Sequence, residues 1–403
     1  MQDCARGARA VRYSKGMKIT AMSYRVLHVS AKTNWSFVQV RVDDAITGWG
    51  ECSLNGWEPL QRAFADKWCA QLVGQSLDGL AAVEATCALN LHSPGGLVEH
   101  SVRSATEQAL LDALAQMRGV PLWRLFGAPL RDSVELYANI NRATAPRTPQ
   151  GFALGARAAI AAGFAAVKLA PFDGVLPANA ETPAGAALIE AGLARIRAVR
   201  EAIGPQPRVM VDCHWRLTPR TAQSTLEALR EVGLYWFECP LSERATCHDE
   251  ILAVRRLANR MDVLTAGAET QSGVDGFRPF LERGLYDAIM PDAKYCGGIG
   301  ELVRIAHLAA AHGVRTAPHN PSGPICNLAS VHAAMVGEGC DLLELQVGES
   351  ELFDSCVGGS GPQLRGGHFL RPERPGIGAA LGETALTSHP YASVSGGLDP
   401  SLG

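Results

Sequence analysis

The chain has 403 residues, 47% hydrophobic and 19% charged, with a formal net charge of −3. That length accommodates one large domain and a smaller one, and that balance belongs to a globular enzyme. The charge gives no reason to expect nucleic acid or an anionic membrane as partner, and no apolar run reaches transmembrane length.

Residues 1–16 are basic and lack an apolar h-region, so they do not read as a secretory signal, and Met17 is a candidate start. The 11 cysteines are scattered, odd in number and without a CxxC pair, which points to reduced thiols in the cytoplasm. Cys213 and Cys239 read as core residues, since a free cysteine packs as a small hydrophobe.

Lys18 to Val29 and Trp35 to Val42 read as strands of an antiparallel β element, flanked by the Ala31–Asn34 and Ser53–Trp57 loops. Residues 59–92 carry a helical pattern with a stop at Gly74. Thr106 to Met117 is helical again, and Gly119-Val-Pro breaks it. Ser133 to Ile140 and Ala165 to Ala170 are the next strands, separated by a helix over 148–162. Pro171 to Gly185, rich in Ala, Pro and Gly, is longer than usual for a βα loop and is a candidate lid.

From there one pattern recurs. Arg208-Val-Met-Val-Asp212 is an apolar run ending in an acid, with His214 two residues on. Later runs end in Glu238, Glu269, Asp292, His319 and Glu344, at intervals of 23 to 31 residues. That interval is one strand, one helix and their loops. Polar residues gathered at the C-terminal ends of successive parallel strands describe the catalytic face of a (β/α)₈ barrel. Beyond Glu344 the pattern dissolves into Gly-rich loop over 358–367. His368 to Gly378 reads as a short strand and turns returning to the N-terminal β element, and the last twenty or so residues as a loose tail.

Asp212, Glu238 and Glu269 end three consecutive strands. Each could instead cap the helix that follows, but three carboxylates converging in one cavity repel unless a cation sits among them, and hard oxygen ligands suit Mg²⁺. Asp292 and His319 end the next two strands. A carboxylate bonded to an imidazole fixes its tautomer and raises its basicity, as a general base requires. His214 is either a second proton-transfer group or a hydrogen bonder beside the metal. Lys168 is a counter-ion to Asp212 or Glu238, a neutraliser of substrate charge, or both. Glu344 either bonds a substrate oxygen or holds a wall residue. Arg142 and Arg216 could bind a second substrate carboxylate or be structural. The Ala31–Asn34 and Ser53–Trp57 loops, the latter with Asn55 and Trp57, are further candidates to meet a substrate. Histidines 307, 312 and 332 lie on helices, and 28, 92 and 100 lie in the cap without a partner pattern.

From about Met17 to Leu381 the sequence resembles the enolase superfamily, in its mandelate racemase branch. The resemblance rests on Ala105–Gly127, Val167–Pro171, Val211–Arg216, Trp236–Pro240, Ala266–Glu269, Met290–Gly298, Ala317–Pro324 and Pro375–Gly378, in that order. It implies a modified TIM-like (β/α)₈ barrel at 131–355. An N-terminal α+β cap at 17–130 would be completed by the C-terminal segment at 356–385. It also implies Mg²⁺ on Asp212, Glu238 and Glu269, an Asp292–His319 dyad, Glu344 on the last strand, and a homo-oligomer, dimer or octamer. Racemases of the branch resemble one another in a Lys-x-Lys on the second strand, where this chain has Lys168-Leu169-Ala170. Acid-sugar dehydratases often lack the second lysine and carry a histidine two residues past the first metal ligand, as His214 does here. The implied reaction is dehydration of an aldonate or aldarate, with Glu344, if protonated, and Lys168 bonding the substrate carboxylate. A racemase or epimerase using Lys168 and His319 is the alternative. A zinc hydrolase would need an early His-x-His that is absent, and a non-catalytic sugar binder would not need the acid–base set.

Overall fold

The computed structural model describes residues 16–358 and 363–394. The basic residues 1–15, part of the Gly-rich loop and residues 395–403 lie outside that range. Within it, no helix is long and apolar enough to cross a membrane.

The N-terminal part is a four-stranded antiparallel sheet with three helices. β1 (Met17–Ser30), β2 (Thr33–Val42) and β3 (Ile46–Glu51) form a meander, and α1 (Glu58–Leu72) follows. Gly74, at φ +91°, stops that helix where the sequence places the break. The chain then adds β4 (Ser76–Leu77) to the edge of β1 before α2 (Gly79–Cys87) and α3 (Gly96–Arg118). Ala105, Ala109 and Ala113 of α3 are fully buried. α3 packs so closely on β3 that a Cβ at Gly48 or Gly50 would fall 1.9 Å from a carbonyl oxygen of α3.

Eight parallel strands follow: β5 (Ser133–Asn139), β6 (Ala166–Leu169), β7 (Arg208–Asp212), β8 (Trp236–Glu238), β9 (Leu264–Gly267), β10 (Ala288–Ile289), β11 (Arg315–Thr316) and β12 (Leu342–Gln346). Each of β5 to β10 pairs with the next, and β12 pairs with β5 over five residue pairs. The β11–β12 seam carries two backbone bonds, from Glu344 N to the Pro318 oxygen (3.4 Å) and from Thr316 N to the Gly339 oxygen (3.2 Å). This is the (β/α)₈ arrangement expected from the recurring pattern.

Helices α4 (Pro149–Ala161), α5 (Pro183–Ile203), α6 (Pro219–Ala228), α7 (His248–Asn259), α8 (Gly273–Glu282), α9 (Ile299–Ala311) and α10 (Pro324–Val336) fill the connections. The first three begin with the same dipeptide: Thr148, Thr182 and Thr218 cap the N-terminus, and a proline follows at the first helical position. Threonine satisfies an orphan backbone donor there, and proline has none to lose.

Three features depart from expectation. The segment 171–182 is packed rather than loose: Phe172, Val175 and Ala180 are buried, and Asp173 pairs with Arg147 and Arg195. After the one-turn α11 (Leu352–Ser355), the hairpin of β13 (Leu364–Arg365) and β14 (His368–Leu370) pairs antiparallel with barrel strand β5, not with the N-terminal sheet. The lower half of β5 offers a free edge there, because β6 pairs only with its upper end. The chain does return to the cap further on, where Gly376 and Ile377 meet α3 and α12 (Glu383–Ser388) packs on β1. That part of the presumed loose tail is therefore held.

The cap and barrel are interlocked by buried carboxylates. Glu51, at the end of β3, accepts from Gly323 N (2.7 Å) and Cys326 N (2.8 Å) at the start of α10. Glu107 of α3 accepts from Ile299 N (2.9 Å) and Gly300 N (2.8 Å), capping α9. Orphan donors and the positive end of the helix dipole both favour a carboxylate there. Gly298, at φ +93°, is required beside it, since a Cβ would collide with the Glu107 carboxylate.

Candidate active site

The barrel interior sets the height of each polar group. A layer of Tyr137, Ala166, Met210, Trp236, Ala266, Ala288, Met290, Ala317 and Leu342 plugs the centre. Two residues on from seven of them stand Asn139, Lys168, Asp212, Glu238, Asp292, His319 and Glu344. Successive inward positions on a strand are two apart, so these residues form the layer above the plug.

Glu269 arrives by another route. It lies three residues past Ala266, and Ala268 between them is left-handed at φ +69°. That residue reverses the alternation and brings Glu269 inward. The half-buried Glu243 holds the kink by accepting from Ala268 N at 2.7 Å. Asp212, Glu238 and Glu269 thus meet: one carboxylate oxygen from each lies within 4.8 Å of the others, and all three are buried.

Charge is not balanced within this group. Lys168, 1% exposed, reaches Glu238 (2.6 Å) and Glu344 (2.9 Å). One ammonium therefore faces four carboxylates. Burial, reinforced by the neighbouring acids, pushes Glu238 and Glu269 well above the usual range. Burial also pushes on Asp212, but His214 and Lys168 outweigh it and hold that group down to about 2. A buried acid cluster short of positive charge, offering only hard oxygen donors, fits a divalent cation of the Mg²⁺ type.

Lys168 stays charged. Burial alone would lower it, but Glu238 and Glu344 together raise it well above its ordinary value. Glu344 is completed by Asn139 Nδ2 (2.7 Å) and Asn320 N (3.0 Å). Burial opposes its ionisation, yet Lys168, His319 and the Asn320 amide hold it below its ordinary value. In this arrangement Glu344 accepts hydrogen bonds, fixing Lys168 and the chain after His319.

His319 donates from Nδ1 to Asp292 Oδ2 at 2.8 Å, and its Nε2 lies 3.6 Å from Glu269 Oε1. The free nitrogen of the dyad thus faces the acid cluster. Asp292 is fully buried; Lys294 and His319 outweigh burial and keep it ionised. His214 also reaches the cluster, with Nε2 2.7 Å from Asp212 Oδ2. It does so through a turn, not along a continuing strand. β7 ends at Asp212, and His214 and Trp215 are both left-handed, at φ +47° and +55°. Consecutive non-glycine residues in that region carry strain, which clusters at functional sites.

The register on β6 also bears on the missing lysine. Lys168 pairs with Met210 and Leu169 with Val211, so Ala170 follows in register beside Asp212. The side chain absent from the second strand is thus the one beside Asp212 in register.

The four distal candidates separate. Asn55 and Arg142 line one cavity of about 180 Å³ between cap and barrel. Trp57 faces a different cavity within the cap, with Phe64 and Val98. Arg216 donates to the Phe172 carbonyl oxygen (2.8 Å), pinning the packed βα segment. Lys294, which the sequence reading passed over, lines the first cavity and bonds Asp292. Its signal was available: it lies two residues beyond Asp292, as His214 does beyond Asp212. Cys213 and Cys239 are buried, and burial raises both thiols.

Residues 15–127 match the N-terminal domain of the mandelate racemase/muconate lactonizing enzyme family, and residues 152–385 match the enolase C-terminal domain-like family. The chain belongs to the enolase superfamily, in its mandelate racemase branch. It is similar to the D-galactonate dehydratase of Ralstonia pickettii (strain 12J), with 28% identity over 379 residues, 92% of this chain and 94% of that protein. Among solved structures it resembles a mandelate racemase/muconate lactonizing enzyme from Jannaschia sp. CCS1, with TM-score 0.81, 24% identity, and coverage of 95% and 100% of the two chains. A candidate L-alanine-DL-glutamate epimerase from Burkholderia xenovorans strain LB400, bound to magnesium and fumarate, matches at TM-score 0.82 and 24% identity, covering 95% and 98%.

Proposed function

We propose that this protein dehydrates an acid sugar. It removes the proton beside the substrate carboxylate and expels the neighbouring hydroxyl to leave a 2-keto-3-deoxy acid. The observation that carries the reading is the distribution of proton-transfer groups. His319, oriented by Asp292, faces the acid cluster. On the far side, four strands away in a ring of eight, stands His214. The second strand offers only Ala170 beside Asp212, while Lys168 is clamped between Glu238 and Glu344. Racemisation needs a group that exchanges a proton with C2 from the face opposite His319, and the Lys168 ammonium is instead spent on Glu238 and Glu344.

Asp212, Glu238 and Glu269 would hold Mg²⁺, which would supply positive charge against the negative charge developing on the substrate carboxylate. His319 Nε2 takes the C2 proton, and Asp292 stabilises the imidazolium that results. Lys168 offsets part of the charge of the acids around it. His214 gives a proton to the C3 hydroxyl, which leaves as water; the resulting enol then takes up a proton and becomes the keto acid. The dehydratase relatives support the reaction, and the magnesium seen in the epimerase-like neighbour supports the metal.

The test is to incubate the protein with six-carbon aldonates, D-galactonate first, and to follow 2-keto acid formation. Product should form with Mg²⁺, stop on chelation, and be abolished in Glu238→Gln with the fold intact. Exchange of the C2 proton with solvent, without loss of water from any acid sugar, would make the enzyme an epimerase instead.

A further inference from the structure

Lys294 is a buried cation outside the acid cluster, and the reaction above leaves it without a task. It is 2% exposed, and its ammonium donates to Asp292 Oδ2 (2.6 Å) and to the Ser322 hydroxyl. It also lies 4.8 Å from the centre of the Tyr295 ring. An ammonium has three N–H donors and no acceptor. Two are spent on the barrel, and the third is left for the cavity that Lys294 lines together with Asn34, Ser53, Asn55, Arg142 and Tyr295. That cavity adjoins the base, because the Asp292 oxygen bonded by Lys294 is the one bonded by His319.

The chemistry of the cavity indicates what enters it. Its volume, about 180 Å³, is below the roughly 300–1,000 Å³ of pockets for drug-sized ligands and suits a short open chain. Its polar walls are amides and hydroxyls. Its two cations are already neutralised: Arg142 pairs with Glu349 at 2.9 Å, and Lys294 with Asp292. A second substrate carboxylate would find no spare counter-charge there. A hydroxylated carbon chain would find donors and acceptors in place.

Resting on the dehydratase reading, we propose that Lys294 is a specificity-determining residue whose third N–H binds a hydroxyl on the distal chain of a monocarboxylic sugar acid.

The test compares kcat/KM for aldonates of four and six carbons, and for the six-carbon aldarate of matching configuration, in wild type and Lys294→Met. The wild-type enzyme should prefer the six-carbon aldonate to both others. Lys294→Met should reduce the six- to four-carbon preference roughly 10- to 100-fold, as expected for a lost hydrogen bond from a charged donor, mainly through KM. Lys294→Gln, which keeps an N–H donor, should lose less, and it carries the comparison if Lys294→Met does not fold. An equal loss on both chain lengths would overturn the proposal, because it would mean that Lys294 acts only through Asp292. A wild-type preference for the aldarate would overturn it too. Absence of dehydration of any aldonate or aldarate by wild type would instead defeat the dehydratase reading, and this proposal with it.

Discussion

Replacing Asp292 by asparagine tests the dyad most directly, because the geometry leaves the amide no good orientation. Asp292 Oδ1 accepts from Lys294 N at 2.8 Å, while Oδ2 accepts from Lys294 Nζ at 2.6 Å and His319 Nδ1 at 2.8 Å. Every neighbour is a donor, and asparagine has one acceptor oxygen. If the amide nitrogen takes the Oδ2 position, it opposes the ammonium and forces His319 to turn a lone pair toward it. The imidazole proton then moves to Nε2, the atom that must accept from substrate. If the nitrogen takes the Oδ1 position, it opposes a buried backbone N–H, at a cost of about 1–3 kcal/mol. Either way the charge that stabilises the imidazolium is gone. Loss of tautomer control by the orienting acid in a serine-protease triad costs about 10⁴ in kcat, so Asp292→Asn should lose about 10³–10⁴ here. KM should change far less than kcat, since Asp292 is fully buried and reaches the cavity only through Lys294. Rates of C2 deuterium uptake and of keto-acid formation should fall together. A kcat within tenfold of wild type at normal KM would remove Asp292 from the mechanism.

Two further outcomes follow from single side chains. His214→Asn should lose dehydration by roughly 10²–10⁴-fold, as for a missing general acid, yet continue to exchange the C2 proton in deuterated solvent; full dehydratase activity would exclude the acid role. His332 is buried, with Nδ1 accepting from Trp123 N and Nε2 donating to the Ile377 oxygen, and burial lowers its pKa from 6.5 to about 4. The unfolded chain therefore binds this proton more readily. The stability His332 contributes is complete above pH 6.5 and is lost as pH falls toward 4, by up to about 1.4 kcal/mol per unit. Urea midpoints measured between pH 4.5 and 7 should show that slope, and His332→Gln should flatten it.

Much of the site was legible because strands count by two. Met210 and Asp212, Trp236 and Glu238, Met290 and Asp292, Ala317 and His319, and Leu342 and Glu344 all keep that count. An apolar run ending in a charged residue therefore announced both the strand and the inward group. Where the count failed, a backbone reversal intervened. Glu269 is three residues past its plug residue because Ala268 is left-handed, and His214 returns to Asp212 through two left-handed residues. Neither alanine, histidine nor tryptophan advertises such a conformation as glycine would. The hairpin at Leu364–Leu370 could be read as strand, but its partner could not, because the free lower edge of β5 exists only once β6 is seen to pair so briefly.

The cap marks a different limit. Its carboxylates serve helices of the other domain: Glu51 caps a helix that begins more than 270 residues later, and nothing local to either sequence signals the pairing. The same holds for the wall of the distal cavity. Asn34 reaches that wall from β2, where its backbone N–H is bonded by Asn55 (2.9 Å) and its amide by Glu58 (2.9 Å) and the Ala392 oxygen (2.9 Å). His28, two strand positions before the turn, takes a backbone bond from its amide to His389 and a side-chain bond to Asn34. Residues 383–394 therefore brace the loop that faces the distal cavity, although they lie some 350 residues from it in sequence. A polar side chain held by three partners, on a backbone N–H held by a fourth, presents one fixed set of donors and acceptors rather than an adaptable one. Discrimination among distal chains then depends on how a hydroxyl pattern matches that set, and on Lys294 opposite it.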